Sequence, residues 1–361
     1  MNVLVLTIVL AATGQIASDI KSDEEVVFFP TYGCMDKEQH HWHIPIHGWI
    51  YEPETTSLTR RALLALLRKK LGLEREESET ELFMRRARLF LVDNERGKDV
   101  SIQFGAKVLA LWKSRANGHT RTPFKFSRSS FRKLLQGQAV QDGWCCFHAI
   151  TRKGDKRVFR GAVQLIPPTG VSVISDIDDT IKISEVRDRK ALVRNTFLRE
   201  FEAAPGMGAL YRQWAKAGAR FHYVSASPWQ LYTPLRDFVG TNGFPLGSFD
   251  LRYVRWKDSS LLEFLESSEK YKLETIERIF DDLPQRKFIL VGDSGEKDPE
   301  VYGTIARKYP KQVVGIFIRN VTDEAADAER FRSAFDKVPA ERWTVFRHAA
   351  EIAGRASALL K

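Results

Sequence analysis

Cysteine is scarce in this sequence. Cys34, Cys145 and Cys146 are the only three, too few for a disulfide framework and without the C-x-x-C spacing of a zinc site. At most one bridge fits, Cys34 pairing with either member of the adjacent pair. No segment approaches 18 consecutive apolar residues, the length that a membrane-crossing helix needs. Internal repeats and low-complexity tracts are also missing. An acidic excess is missing as well: 56 Lys and Arg stand against 46 Asp and Glu, a net charge of +10. What is there, 43% hydrophobic and 28% charged residues over 361 positions, excludes disordered and collagen-like chains and suits two ordinary domains.

The positive excess is local. Residues 101–170 carry 13 Lys and Arg against 2 Asp and Glu, from Lys107 through Arg121, Lys125, Arg128, Arg132 and Lys133 to Arg160. Such a stretch suits an anionic partner or is simply a solvated face. At the other extreme, Val3–Ala12 forms an apolar core of about ten residues followed by small ones, the pattern of a secretory leader. Residues 1–18 therefore read as a signal peptide with an uncharged n-region, and the protein as secreted or periplasmic, with a cytoplasmic location as the alternative. His40, His41, His43 and His47 raise the idea of a metal site, although no Cys or carboxylate stands at ligand spacing.

Residues 26–168 read as a β-rich, sandwich-like domain with a basic second half. Strands are expected at Val26–Tyr32, His41–Tyr51, Leu89–Asp93, Lys107–Trp112, Trp144–Thr151 and Arg157–Ile166, with turn signals between several of them. Leu58–Leu71 interrupts them as a basic amphipathic helix, packed on the sandwich or lying on a membrane. Past Pro167-Pro168-Thr169-Gly170 the texture changes. Apolar strands at Val171–Ile174, Arg220–Val224, Lys287–Val291 and Val313–Ile318 alternate with helices at Met207–Ala217, Trp229–Val239, Ser268–Phe280 and Val301–Tyr309. This order predicts an α/β domain over 169–320 with a parallel sheet, whose ligands bind at the carboxyl ends of the strands. Residues 321–361 read as a C-terminal helical segment.

The first of these strands ends in Ser175-Asp176-Ile177-Asp178-Asp179-Thr180. Aspartates two apart at a strand end can reach one pocket, and paired carboxylates are what a Mg²⁺ ion and a phosphoryl group require. Three further elements follow in order. Ser225 comes directly after an apolar strand, Lys272 lies in a helical stretch, and Gly292-Asp293-Ser294-Gly295-Glu296-Lys297-Asp298 closes another strand. Each alone is an ordinary turn or surface residue; together they describe a phosphate site.

This order resembles the haloacid dehalogenase superfamily across Val171 to about Ile318. More narrowly, Ser175–Lys182, Tyr223–Tyr232 and Val291–Asp298 resemble the catalytic domain of the actin-patch-associated phosphatidate phosphatases, relatives of the lipins. The resemblance implies a Rossmann-like parallel sheet of the haloacid dehalogenase type. It implies Asp176 as the nucleophile and Asp178 as the general acid and base. It also implies Ser225, Lys272 and Thr180 as phosphate-binding residues, and Mg²⁺ held by Asp176, the Asp178 carbonyl, Asp293 and Asp298. Asp179 receives no role.

Short connections on either side of Ser225 leave no room for a large cap, and an uncapped site favours a large or surface-embedded substrate. Arg187, Arg189, Lys190 and Arg194 stand near its entrance. The expected reaction is Mg²⁺-dependent hydrolysis of phosphatidate or a related phospholipid, with peripheral contact to an anionic membrane through the basic stretch and its neighbours Trp112, Phe124, Phe126 and Phe131. Another large phosphomonoester, on a protein or a polynucleotide end, or phosphatidate binding without catalysis, is the alternative. No recognised motif points to nucleic acid.

Overall fold

The computed structural model describes residues 17–53, 58–137, 140–254 and 269–360. The first region holds nine strands: β1 Glu25–Phe29, β2 Thr31–Met35, β3 His41–Glu52, β4 Asp93–Asn94, β5 Ser101–Phe104, β6 Lys107–Ala110, β7 His119–Ser127, β8 Trp144–Ala149 and β9 Arg160–Leu165. The hydrogen-bonded path runs β1-β3-β2-β9-β8-β5-β6, with β4 and β7 also paired to β3. Alternation assigns the faces. Ile44, Ile46 and Ile50 of β3 join Ile102, Phe104, Phe147 and Val163 from the other strands in one core.

Among the described residues, three α-helices accompany these strands: α1 Leu58–Leu71, α2 Glu81–Arg88 and α3 Arg128–Leu134. In α1, Leu67 and Leu71 enter a large apolar core shared with the second region, so this basic helix packs against protein. Of the stretch expected as a strand at Leu89–Asp93, only Asp93 lies in one, the short β4; the rest is the end of α2 and a turn, because α2 runs to Arg88 and its cap, Leu89, bonds back to it. Of the aromatics beside the basic stretch, Phe131 is buried and Phe124 and Phe126 pack on the core, which leaves Trp112 exposed. No disulfide joins Cys34, Cys145 or Cys146, so the bridge allowed by the sequence does not form. The histidines of 40–47 do not converge: His41 pairs with Asp36, and His47 bonds His119.

The second region is one parallel sheet in the order β12-β11-β10-β13-β14-β15. Its strands are β10 Val171–Ser175, β11 Arg220–Pro228, β12 Gly247–Arg252, β13 Lys287–Asp293, β14 Val313–Arg319 and β15 Trp343–Phe346. The helices are α4 Arg189–Phe197, α5 Met207–Lys216, α6 Tyr232–Thr241, α7 Glu269–Asp282, α8 Asp298–Lys308, α9 Glu329–Ala334 and α10 Ala349–Ala358. Successive residues go to opposite faces: Val173, Ile289 and Phe317 line one core, Ile174, Leu290 and Ile316 the other. Truncating one of these side chains, such as Phe317, to Ala would cost about 3–5 kcal/mol. Residues 321–361 are not a helical appendage, because β15 pairs in parallel with β14 and completes the sheet. A four-residue strand at a sheet edge carries too short an alternation to be read from sequence.

The two regions are packed together. Phe249 N–H bonds Pro30 O. Phe29 and Trp49 from the first region share a core with Trp229 and Tyr232, while Tyr32 joins the core on the other face. Most of the stretch read as a leader, residues 1–16, lies outside the described residues. Ser18 does not: it is buried, and its hydroxyl donates to Ser101 O at 3.1 Å.

Candidate active site

Strand β10 delivers Asp176 at its carboxyl end, where Asp176 N–H extends the pairing by donating to Val291 O at 2.9 Å. The chain then turns sharply, with Ile181 and Lys182 N–H both bonding Ile177 O. Asp179 takes a left-handed φ of 53° in that turn, which Asp tolerates because its carboxylate bonds local backbone. Its oxygens accept the N–H groups of Ser184, Glu185 and Val186. Asp179, to which the sequence assigned nothing, thus shapes the loop that carries Asp178.

Around Asp176 the structure gathers a lysine and three further acids. Lys272 on α7 is buried, and its Nζ lies 2.9 Å from Asp176 Oδ1, 2.6 Å from Asp298 Oδ1 and 2.7 Å from Glu296 Oε2. Thr180 Oγ1 donates to Asp176 Oδ2 at 3.0 Å. Asp293, at the end of β13, accepts Gly295 and Glu296 N–H on Oδ1 and donates its own N–H to Asp298 Oδ2. Gly292 has to be glycine here, because a Cβ would collide with the Asp298 carboxylate.

Burial pushes Asp176 well above the usual carboxylate range, against the pull of the Lys272 ammonium. Asp293 is raised by the same cause, reinforced by Asp298. Lys272 goes the other way: burial opposes its charge, yet Asp176, Asp298 and Glu296 hold its pKa well above the ordinary value. One ammonium therefore faces several acids, an imbalance that a divalent cation would correct.

A second group surrounds Asp178. Its Oδ2 accepts Ser225 Oγ at 3.1 Å and Ser227 Oγ at 2.8 Å, while Oδ1 accepts Ser184 Oγ at 2.8 Å and pairs with Lys182 Nζ at 2.7 Å. Burial alone would raise Asp178, but Lys182 and the hydroxyls hold it down to about 2. All seven residues expected at the site thus stand at the carboxyl ends of β10, β11 and β13 or on the adjacent helices. They form two clusters: Asp176, Thr180, Lys272, Asp293 and Asp298 in one, Asp178 and Ser225 in the other. Sequence reasoning missed Lys182, Ser184, Ser227 and Glu296. Lys182, Ser227 and Glu296 lie inside the runs that carried the resemblance, and Ser184 follows just after one of them.

Asp176, Asp293 and Asp298 each offer a carboxylate oxygen, the three lying within 4.8 Å of one another. Asp293 Oδ2 is buried with no hydrogen-bond partner. Three convergent carboxylates with a spare oxygen suit a hard divalent cation such as Mg²⁺. The Asp178 carboxylate is not part of this trio.

A carboxylate trio beside a buried lysine, at the carboxyl edge of a parallel sheet, is the outline of a phosphoryl-transfer site. Residues 171–320 match the family described as phosphatidate phosphatase APP1, catalytic domain. Two curated relatives agree in extent. Phosphatidate phosphatase APP1 of Saccharomyces cerevisiae is 37% identical over 166 residues, covering 45% of this chain and 28% of the yeast protein. An uncharacterized protein of Schizosaccharomyces pombe is 31% identical over 172 residues, covering 46% of this chain and 28% of its own length. The chain thus spans less than a third of the curated relatives it matches. Among solved structures, a β-glucuronidase of Parabacteroides merdae aligns over 82% of this chain and 34% of its own, at 8% identity and a TM-score of 0.28. That likeness is too slight to carry any argument.

Proposed function

We propose that the protein is a Mg²⁺-dependent phosphatidate phosphatase that works through an aspartyl-phosphate. The observation that carries this reading is the family match over 171–320 falling on the segment that holds the carboxylate–lysine cluster. Asp176 Oδ attacks phosphorus in line with the departing glycerol oxygen, forming the acyl phosphate as the P–O bond to glycerol breaks. Asp178, which Lys182 and the hydroxyls hold ionised in the free site, must take up a proton as the substrate dianion binds; it gives that proton to the departing oxygen, then takes one from the water that hydrolyses the acyl phosphate. Thr180 orients the nucleophile through its hydrogen bond to Oδ2. Lys272 neutralises charge on the phosphoryl oxygens, and Ser225 stands beside Asp178 to bind another of them. Asp176, Asp293 and Asp298, with the Asp178 carbonyl, would hold Mg²⁺, which when bound screens the acids from the incoming dianion.

The net positive charge of residues 101–170 favours docking on an anionic bilayer, where the phosphomonoester is presented at the surface. If the chain is exported, cleavage falls before Ser18, since that residue is built into the first domain; N-terminal sequencing of exported protein checks this.

The deciding experiment measures phosphate released from phosphatidate in mixed micelles, with Mg²⁺ or with EDTA, alongside soluble phosphomonoesters. Lipid-selective release that needs Mg²⁺ is expected. Release from soluble esters alone would discard the lipid and keep the chemistry. Liposome binding without release from any substrate would leave a phosphatidate-binding module.

A further inference from the structure

An ammonium has three N–H donors, and Lys272 faces three carboxylates within hydrogen-bond distance: Asp176, Asp298 and Glu296. A phosphoryl group that is to be gripped by Lys272 must therefore displace one of them. Asp176 and Asp298 have side chains 1% and 0% exposed, whereas Glu296 is 26% exposed. Only Glu296 can exchange its lysine contact for water without leaving a buried charge unpaired. Its backbone does not need to move, because Glu296 N–H is held by Asp293 Oδ1 and its carbonyl by Arg330. Arg330 is in turn fixed by Glu300 and Glu324.

We propose that Glu296 is a placeholder for the phosphoryl group. Its carboxylate occupies Lys272 in the free site and swings to solvent when a phosphate oxygen takes its place. It is a positioning residue: it keeps the ammonium aimed at Asp176 between turnovers and competes with the ligand for it. The same competition drives release of inorganic phosphate at the end of the cycle. The inference rests on the phosphoryl-transfer reading, not on the lipid nature of the substrate.

The test uses the full chain with Mg²⁺ and inorganic phosphate as the probe, followed by calorimetry. Glu296→Gln and Glu296→Ala are expected to bind phosphate about tenfold more tightly than wild type, the size of one charge-assisted contact no longer competed for. In turnover with phosphatidate, or with any phosphomonoester it hydrolyses, KM should fall and phosphate release should slow, whereas mere loosening of the site would raise KM. Glu296→Asp, which keeps the charge on a shorter stem, should lie between. Glu324→Gln removes the same charge from a residue that does not touch Lys272, and should change phosphate affinity less than twofold, or about 0.4 kcal/mol. Weaker or unchanged phosphate binding in Glu296→Gln, in protein whose melting temperature is preserved, overturns the proposal, as does equal tightening by Glu324→Gln. The expected order of phosphate affinities without phosphatidate turnover leaves the placeholder standing and removes only the lipid.

Discussion

The two regions handle buried charge in opposite ways. In the β-rich region Lys98 is matched to Glu24 at 2.5 Å and to Glu95 at 3.3 Å, and His47 and His119 are buried as neutral rings bonded to each other at 3.0 Å. At the carboxyl edge of the parallel sheet, Asp176, Asp293, Asp298 and Glu296 crowd a single Lys272, and one oxygen of Asp293 has no partner. Stability alone explains the first arrangement. The second leaves buried acids short of cations, an imbalance that lowers stability and is characteristic of functional sites.

The sharpest way to break that contrast is Asp176→Asn. It should lower phosphate release by at least about a thousandfold, while raising the melting temperature in EDTA, since a buried acid pushed upward in pKa becomes a neutral amide. A fall in stability instead would mean that Asp176 is structural.

Next in size are two parallel lysine deletions. Lys272→Met should cost about 3–5 kcal/mol in urea unfolding, because several buried acids lose their counter-charge, and it should abolish turnover. Lys98→Met should also destabilise, yet leave the rise in melting temperature on adding Mg²⁺ intact; loss of that rise would tie the β-rich region to the metal.

A smaller effect is expected from Gly292→Ala, whose methyl group displaces the Asp298 carboxylate. Turnover should fall about tenfold to a hundredfold, as for other displaced metal-site groups, with a matching rise in the Mg²⁺ concentration needed for half-maximal activity.

Burial holds His119 and His222 down to about 3 from an ordinary 6.5. The unfolded chain therefore binds more protons between those values, so the stability these rings contribute is complete above pH 6.5 and is lost as pH falls toward 3. Each should contribute a slope of about 1.4 kcal/mol per pH unit within that window. His222→Asn should flatten the fall in melting temperature between pH 6.5 and 5. The smallest effect belongs to the thiols: added reductant should leave the melting temperature unchanged, because no disulfide joins Cys34, Cys145 or Cys146.

Much of the parallel sheet was legible because its strands are continuous apolar runs separated by helix-length segments, and Val171, Arg220, Lys287 and Val313 are the observed first residues of their strands. The β-rich region was harder to read. The strand β7, with Thr120, Thr122, Phe124 and Phe126 toward the core, was hidden because Arg121, Pro123 and Lys125 made it resemble a basic loop. Helix α2 carries no clear apolar stripe in the sequence, because its eight residues contain Glu81, Arg85, Arg86 and Arg88. Arg86 is nevertheless buried, its guanidinium donating to Thr196 and Arg199 carbonyls of the second region. A buried arginine satisfied by distant backbone has no local sequence signature.

By itself the sequence determined the chemistry on offer: an Asp-x-Asp at one strand end, a serine and an acidic turn at two others, and a lysine between them, in the order that a phosphoryl-transfer site requires. Order along the chain is enough for this, because parallel strands bring their carboxyl ends to one edge wherever the connections run. Only the tertiary structure decided how those groups share partners. It gave Asp178 to Lys182 and three hydroxyls, placed Asp176 with Asp293 and Asp298, and set Glu296 as the one partly exposed claimant among three on Lys272. That division depends on burial and on distances of a few ångströms between segments up to about 120 residues apart, which no local pattern encodes.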